Sequence, residues 1–222
     1  PRFYFMSEAD LLDVLSNGSQ PHKILVHSSK IFLCVKTLVL DKPAEECSEA
    51  QRPKVASWIT NNGSETCQMD SVAIPQFDVP EGMTPLEGKA EIYLMSVVQA
   101  MKGCLFKLFE GCLDSYSKLE RSAWAMEGGG VPTYPAMSLL AVSSVEYVMT
   151  VEKVMPKVHS GEDPTALQRY SDEQSHDLTN LVDLTRTQIN SCQRKRVMCM
   201  ITLDAHNRDI VHNFIHRDHV TD

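Results

Sequence analysis

Apolar residues recur at helical spacing over most of this chain, and the main exceptions lie between residues 41 and 88. The clearest run extends from Ala90 to about Tyr116, where Met95, Val98, Met101, Leu105, Leu108, Cys112 and Tyr116 step by three or four positions. With 3.6 residues per turn these fall on one face, so the spacing predicts a long helix with a single buried stripe. Leu178, Leu181, Leu184, Ile189, Val197, Ile201, Leu203, Ile210, Val211 and Ile215 extend the same logic from about residue 165 to 217. They predict one or two helices, interrupted near the stretch "SCQRKR". Pro132 and Pro135 precede another helical stretch that reaches about residue 155, and "HSGEDPTAL" then breaks the chain.

The first ninety residues carry different signals. Ser7 suits a helix N-cap, with Asp10 at the third helical position reaching back as the shorter acid of a capping box. Met6 and Leu11 stand where a hydrophobic staple would place them. Leu11, Leu12, Val14 and Leu15 predict an apolar stripe on a short helix over residues 8 to 16, stopped by Asn17-Gly18 after an extended arm at 2 to 6. Pro21 opens a second predicted helix, amphipathic through Ile24, Ile31, Val35 and Leu38 and reaching about residue 39. Residues 41 to 54, with Pro43 and Pro53, read as a polar loop. In "KVASWITNNGSETCQM", Asn62-Gly63 separates two β-prone runs and predicts a hairpin, because that pair favours the type I′ turn. Pro75, Pro80 and Pro85 keep residues 73 to 88 extended or irregular. The chain is therefore expected to be mainly α, an elongated helical-bundle segment with one small β-hairpin. Residues 1 to 88 hold the short helices, hairpin and extended connection, and residues 89 to 222 hold the long-helix bundle.

Composition narrows the chemistry. Lys+Arg number 21 against Asp+Glu 29, a net charge of -8, and this balance argues against a dedicated nucleic-acid binder, which needs a positive face. No apolar run is expected to reach the ~20 residues that span a bilayer, and no basic-then-apolar leader opens the chain, so the cytosol is the default compartment and no membrane partner is expected. The seven cysteines, Cys34, Cys47, Cys67, Cys104, Cys112, Cys192 and Cys199, are odd in number and never spaced C-x-x-C, which favours reduced thiols packed as small hydrophobes.

Each candidate site falls short of a reaction. The glycine-rich loop "EGGGVP" is followed by Val131 and Pro132, where a phosphate loop requires a Lys-Ser/Thr pair, so it reads as a helix break. His212 and His216 are spaced i, i+4 with His219 nearby, but Asn213 stands where a metalloprotease has its Glu, and a metal needs a third positioned ligand. Cys192 and Cys199 flank the basic island "QRKR", which would lower a thiol pKa if they faced it; their i, i+7 spacing favours the core. The island itself reads as a solvated face or ion-pair partner. No catalytic residue, cofactor-binding residue or metal ligand is assigned.

Three stretches share a resemblance. "PRFYFMSEADLLDVLSNG" resembles a segment inside the linker of dynein heavy chains, the axonemal members more than the cytoplasmic one. "AEIYLMSVVQAMKGCLFKLFEGCLDSYSKLERSAW" is similar to the long linker helix and the segment after it, with Glu91, Tyr93, Leu94, Met101 and Trp124 at matching places. "RKRVMCMITLDAHNRDIV" resembles the last linker helix, where His206, Arg208 and Asp209 match a His-x-Arg-Asp pattern. Order and spacing are kept over essentially the whole chain. Pro135-Ala136 are retained, whereas Tyr147-Val148 replace a usual Trp-Thr pair.

The resemblance implies a non-catalytic piece of an outer-arm axonemal motor: the C-terminal half of a lever arm that bends and straightens across a ring of AAA+ modules. ATP and Mg would belong to that ring, not to this segment. Implied partners are the ring and the rest of the linker, and, for the parent chain, microtubules and dynein intermediate and light chains. The implied location is the ciliary or flagellar axoneme. Pro1 in place of an initiator Met fits an internal segment, and the Pro- and Gly-rich stretches 73 to 88 and 126 to 135 are candidate compliant joints or plain surface connections. A free-standing helical adaptor and a small cysteine- or metal-dependent enzyme are the competing readings.

Overall fold

Ser7 starts the first helix as its type predicts. Its hydroxyl accepts the Asp10 backbone N–H at 3.2 Å and donates to the Asp10 carboxylate at 2.7 Å, opening α1 (Glu8–Ser16). Lys30 Nζ donates to both oxygens of that carboxylate at 2.7 and 2.8 Å, and these bonds, with the Ser7 bond second, hold Asp10 below the usual carboxylate range. Val14 is buried, but Leu12 and Leu15 are exposed, so the expected four-residue stripe narrows to its centre. The computed structural model describes residues 6–47, 52–60, 65–69, 83–126 and 134–217, so the expected arm at 2 to 6 falls almost wholly outside the described residues.

The chain packs as two compact units, 1–107 and 108–222. In the first, the helix expected from Pro21 to about residue 39 is instead two single turns and a strand: α2 (Pro21–Leu25), α3 (Ser28–Ile31) and β1 (Val35–Leu40). The reason is a bulge. A register shift between Val35 and Thr37 lets Val35 and Leu38, three residues apart, both bury on one side of the strand. That spacing mimics a helix in the sequence, while the β-branched residues Val35, Thr37 and Val39 prefer the pleat.

Strand β2 (Lys54–Thr60) is central. It pairs antiparallel with β1, setting Leu38 opposite Trp58, and with β3 (Thr66–Gln68), setting Trp58 opposite Cys67. The β2 and β3 strands are the expected hairpin, closed by a Thr60 N–H bond to the Glu65 carbonyl at 2.9 Å; Asn62-Gly63 lie outside the described residues. A further strand, β4 (Thr84–Pro85), pairs with β2 through Val55 and Thr84, adding to the expected hairpin from a stretch expected to be irregular. Trp58, Val55 and Val35 are fully buried, so the sheet carries a core of its own.

Gly88 adopts φ 82° at the entrance to α4 (Ala90–Tyr116), and Arg52 Nη1 donates to its carbonyl at 2.6 Å. The helix matches its expected limits, but its buried face is rotated. Tyr93, Leu94, Val97, Ala100, Met101 and Cys104 are buried, whereas Met95 is 61% exposed. Apolar residues nearly surround this helix, so spacing alone supports two adjacent stripes and cannot select between them. Among the described residues it is the one helix long and apolar enough to cross a membrane, which departs from the expectation that no such run exists. Lys102 and Lys107 interrupt it, and its buried residues serve protein cores. The unit division falls within α4, and the boundary expected at 88/89 lies at its start.

In the second unit, α5 (Arg121–Ala125), α6 (Ala136–His159), α7 (Ala166–Thr185) and α8 (Ser191–Arg217) surround a core of Cys112, Trp124, Ala125, Tyr134, Leu139, Val142, Leu181, Val197 and Met200. The expected interruption lies at 186 to 190. There Asn190 and Gln193 cap α8 reciprocally: Gln193 N–H donates to Asn190 Oδ1 at 2.8 Å and Asn190 N–H to Gln193 Oε1 at 3.0 Å. Helix α6 ends on Gly161, whose φ of 75° is left-handed and whose N–H bonds the Val158 carbonyl. A Cβ there meets nothing within 4 Å, so Gly161→Ala isolates backbone strain, with an expected loss of about 1–2 kcal/mol in urea unfolding.

Candidate polar node and cavity of the helical unit

The sequence "LERSAW" places Arg121 and Trp124 three residues apart on the single helical turn of α5, and both side chains turn inward. Arg121 Nε and Nη2 donate to the two oxygens of Asp204 on α8, at 3.0 and 2.7 Å. Nη2 also donates to Ser143 Oγ on α6 at 2.8 Å, and that hydroxyl donates back to the Leu139 carbonyl at 2.7 Å. Trp124 Nε1 donates to Ser115 Oγ at 3.0 Å and to the Cys112 carbonyl at 3.3 Å on α4. The guanidinium carbon lies 5.5 Å from the Tyr116 ring centroid and 5.1 Å from that of Trp124, and those rings meet edge to face at 5.1 Å. One cation thereby ties α5 to α6 and α8 and packs on the end of α4.

Beside this node is a cavity of about 230 Å³. Tyr116, Tyr147 and Tyr170 line its wall with phenols, Asp204, Asp177 and Glu173 with carboxylates, and Arg121, Gln174, Asn207, Ser143 and Thr150 complete its polar lining. Burial pushes all three phenols up, so they remain neutral hydrogen-bonding groups. Burial also raises Asp177; Asp204 and Glu173 add to the rise and Arg121 opposes it. Arg121 Nη1 and Gln174 Oε1 are buried without hydrogen-bond partners. The wall thus carries more negative than positive charge.

Sequence spacing does not reveal this node. Arg121 and Asp204 are separated by 83 positions, and an Arg in a short helix carries no pattern that distinguishes burial from solvation. The candidates that sequence motifs single out do not converge on it. His212 and His216 stack with centroids 4.1 Å apart, and His216 Nδ1 lies 2.8 Å from the His212 carbonyl; His219 lies outside the described residues. Among the described residues, no group of three or more His, Cys, Asp or Glu side chains is placed to hold a metal. Gly128 to Gly130 lie outside the described residues.

Cys192 is half-buried and Cys199 exposed, which corrects the expectation that both pack in the core. Val197 and Met200 form the buried face of α8 instead, and i, i+7 neighbours of a different phase fall off it. The basic island also divides. Arg194 Nη1 donates to the Thr185 carbonyl at 2.7 Å, whereas Arg196 is buried, so the stretch is not one solvated face. Burial pushes the Cys67 and Cys112 thiols up to about 12, which makes them packing groups, not nucleophiles.

The residues that carried the resemblance fall into two classes. Tyr93, Leu94, Met101 and Trp124 are buried in cores, while Glu91 and His206 are exposed. Arg208 Nη2 donates to the neighbouring Asp209 carboxylate at 2.6 Å. Tyr147, one of the two departures, lies on the cavity wall.

Comparison with known proteins agrees in extent and in type. Residues 1–112 match the family model described as dynein heavy chain, N-terminal region 2. The chain is 33% identical, over 95% of its length, to the dynein alpha chain of the flagellar outer arm of Chlamydomonas reinhardtii. It is 28% identical over 97% to the outer-arm beta chain of that organism, and 28% identical over 97% to human dynein axonemal heavy chain 17. It spans only 4% of the length of each of these relatives. The buried positions shared with that pattern, the family match over half the chain and the axonemal character of the relatives agree: the chain belongs to the dynein heavy chain family, as a segment of the N-terminal region of an axonemal member from a cilium or flagellum.

Proposed function

We propose that this segment is a non-catalytic mechanical element, part of the linker or lever arm of an outer-arm axonemal heavy chain. The observation that supports it most directly is the bracing of long helices. A force-bearing arm must resist local melting, and helices fray where packing is thin. Here two helices of 27 residues, α4 and α8, meet the core of the second unit, where Arg121, Ser143 and Asp204 tie α5, α6 and α8 together through hydrogen bonds. In this reading the whole heavy chain is an ATP-driven, minus-end-directed microtubule motor, with ATP and Mg held by its AAA+ ring. The segment contacts that ring and the rest of the linker, and intermediate and light chains complete the assembly.

The test is made in the parent heavy chain. Replacing residues 1–222 with a flexible Gly-Ser connector is expected to leave ATP turnover measurable while microtubule gliding nearly stops; retained gliding velocity would overturn the lever reading. The bend is proposed for the stretch 126 to 135. Changing Gly128, Gly129 and Gly130 together to Ala is expected to alter gliding velocity more than folding, and unchanged velocity removes that joint.

A further inference from the structure

We propose that the cavity beside the Arg121–Asp204 pair is a receptor for one arginine side chain carried on a peptide segment. Size comes first: about 230 Å³ is well beyond the ~30 Å³ share of a single water and below the ~300 Å³ at which small-molecule sites begin, which suits one long side chain. Charge comes second. Arg121 is the one cation on the described wall, against the three carboxylates of Asp204, Asp177 and Glu173, and Asp204 is already committed to Arg121. Asp177 and Glu173 are left for an incoming cation. Tyr147 and Tyr170 line the same cavity as neutral phenols, aromatic groups of the kind on which a guanidinium packs, and its planar fork of donors suits paired carboxylates better than a single ammonium does.

The Asp177 carboxyl, half-buried and raised chiefly by that burial, is an acid short of positive charge. This assignment does not depend on the lever-arm reading.

The experiment titrates the full chain with N-acetyl-arginine amide and, separately, with the citrulline analogue, which keeps the shape and loses the charge. Binding is read by two-dimensional NMR and by thermal shift. The arginine probe is expected to shift the resonances of Tyr147 and Tyr170 and raise Tm, with the citrulline probe at least about tenfold weaker, a difference of ~1.4 kcal/mol. Asp177→Asn is expected to weaken arginine binding while raising the Tm of the unliganded chain at neutral pH, because it removes a half-buried charge whose pKa burial raises. A purely structural Asp177 would not couple those opposite changes. Glu173→Gln gives a second reading of the same loss. Equal binding of the two probes, undiminished arginine binding in both variants, or no binding of either probe because water alone fills the cavity, would overturn the proposal.

Discussion

Arg121→Ala is expected to destabilise the helical unit by about 3–5 kcal/mol, one of the two largest effects predicted here. The side chains of Arg121 and Asp204 are only 7% and 14% exposed, so removing the guanidinium strands a carboxylate that water reaches poorly. Ser143 loses its donor at the same time, and the rings of Tyr116 and Trp124 lose the cation packed against them. The effect comes chiefly from the stranded charge, not from the attraction between the two ions. The double variant Arg121→Met with Asp204→Leu should therefore recover most of the stability, since similar volume without charge often equals or exceeds a buried pair. Urea unfolding of the two single variants and the double variant checks this. A loss below about 1 kcal/mol for Arg121→Ala would mean that the pair behaves like a solvent-screened surface bridge.

Trp124→Ala is the second large effect, an expected loss of about 3–5 kcal/mol from the removal of a large buried aromatic group. Trp124 is 2% exposed and lies in the core with Cys112, Leu139, Leu181 and Met200. Trp124→Phe should lose much less, roughly 1–2 kcal/mol, because the ring stays while the bond to Ser115 goes. The pair Trp124→Ala and Arg121→Ala should be non-additive, because the two residues touch. The chain has two tryptophans, Trp58 in the first unit and Trp124 in the second, so fluorescence of the single-Trp variants reports on each unit separately. A melt reported by Trp124 that shifts in Arg121→Ala, with the Trp58 signal unmoved, would show that the units unfold as separate cooperative blocks.

Much of the secondary structure was legible in local patterns because local physics decides it. Ser7 caps because a hydroxyl at that place meets an unpaired N–H, whatever the rest of the chain does. The limits of α4 and the stop before α8 come from apolar spacing and its lapse. Where two periodicities share a spacing, the reading fails. Val35 and Leu38 satisfied a helix on paper and a bulged strand in fact, and only pairing with β2 chose between them. The same ambiguity rotated the buried face of α4, since Met95 and Leu94 are equally apolar and only neighbouring elements decide which is covered.

The resemblance carried by "AEIYLMSVVQAMKGCLFKLFEGCLDSYSKLERSAW" and "RKRVMCMITLDAHNRDIV" was also legible, because ordered and spaced identities survive without knowledge of contacts. By itself the sequence determined the family, the helical class and the hairpin strands, all of which rest on local pattern or linear order. Tertiary structure alone decided that Arg121 meets Asp204, that Cys199 faces outward, and that three tyrosines and two free carboxylates share one cavity. The physical reason is that burial and charge pairing belong to places in space, and distant positions in the chain meet there only after the helices have packed.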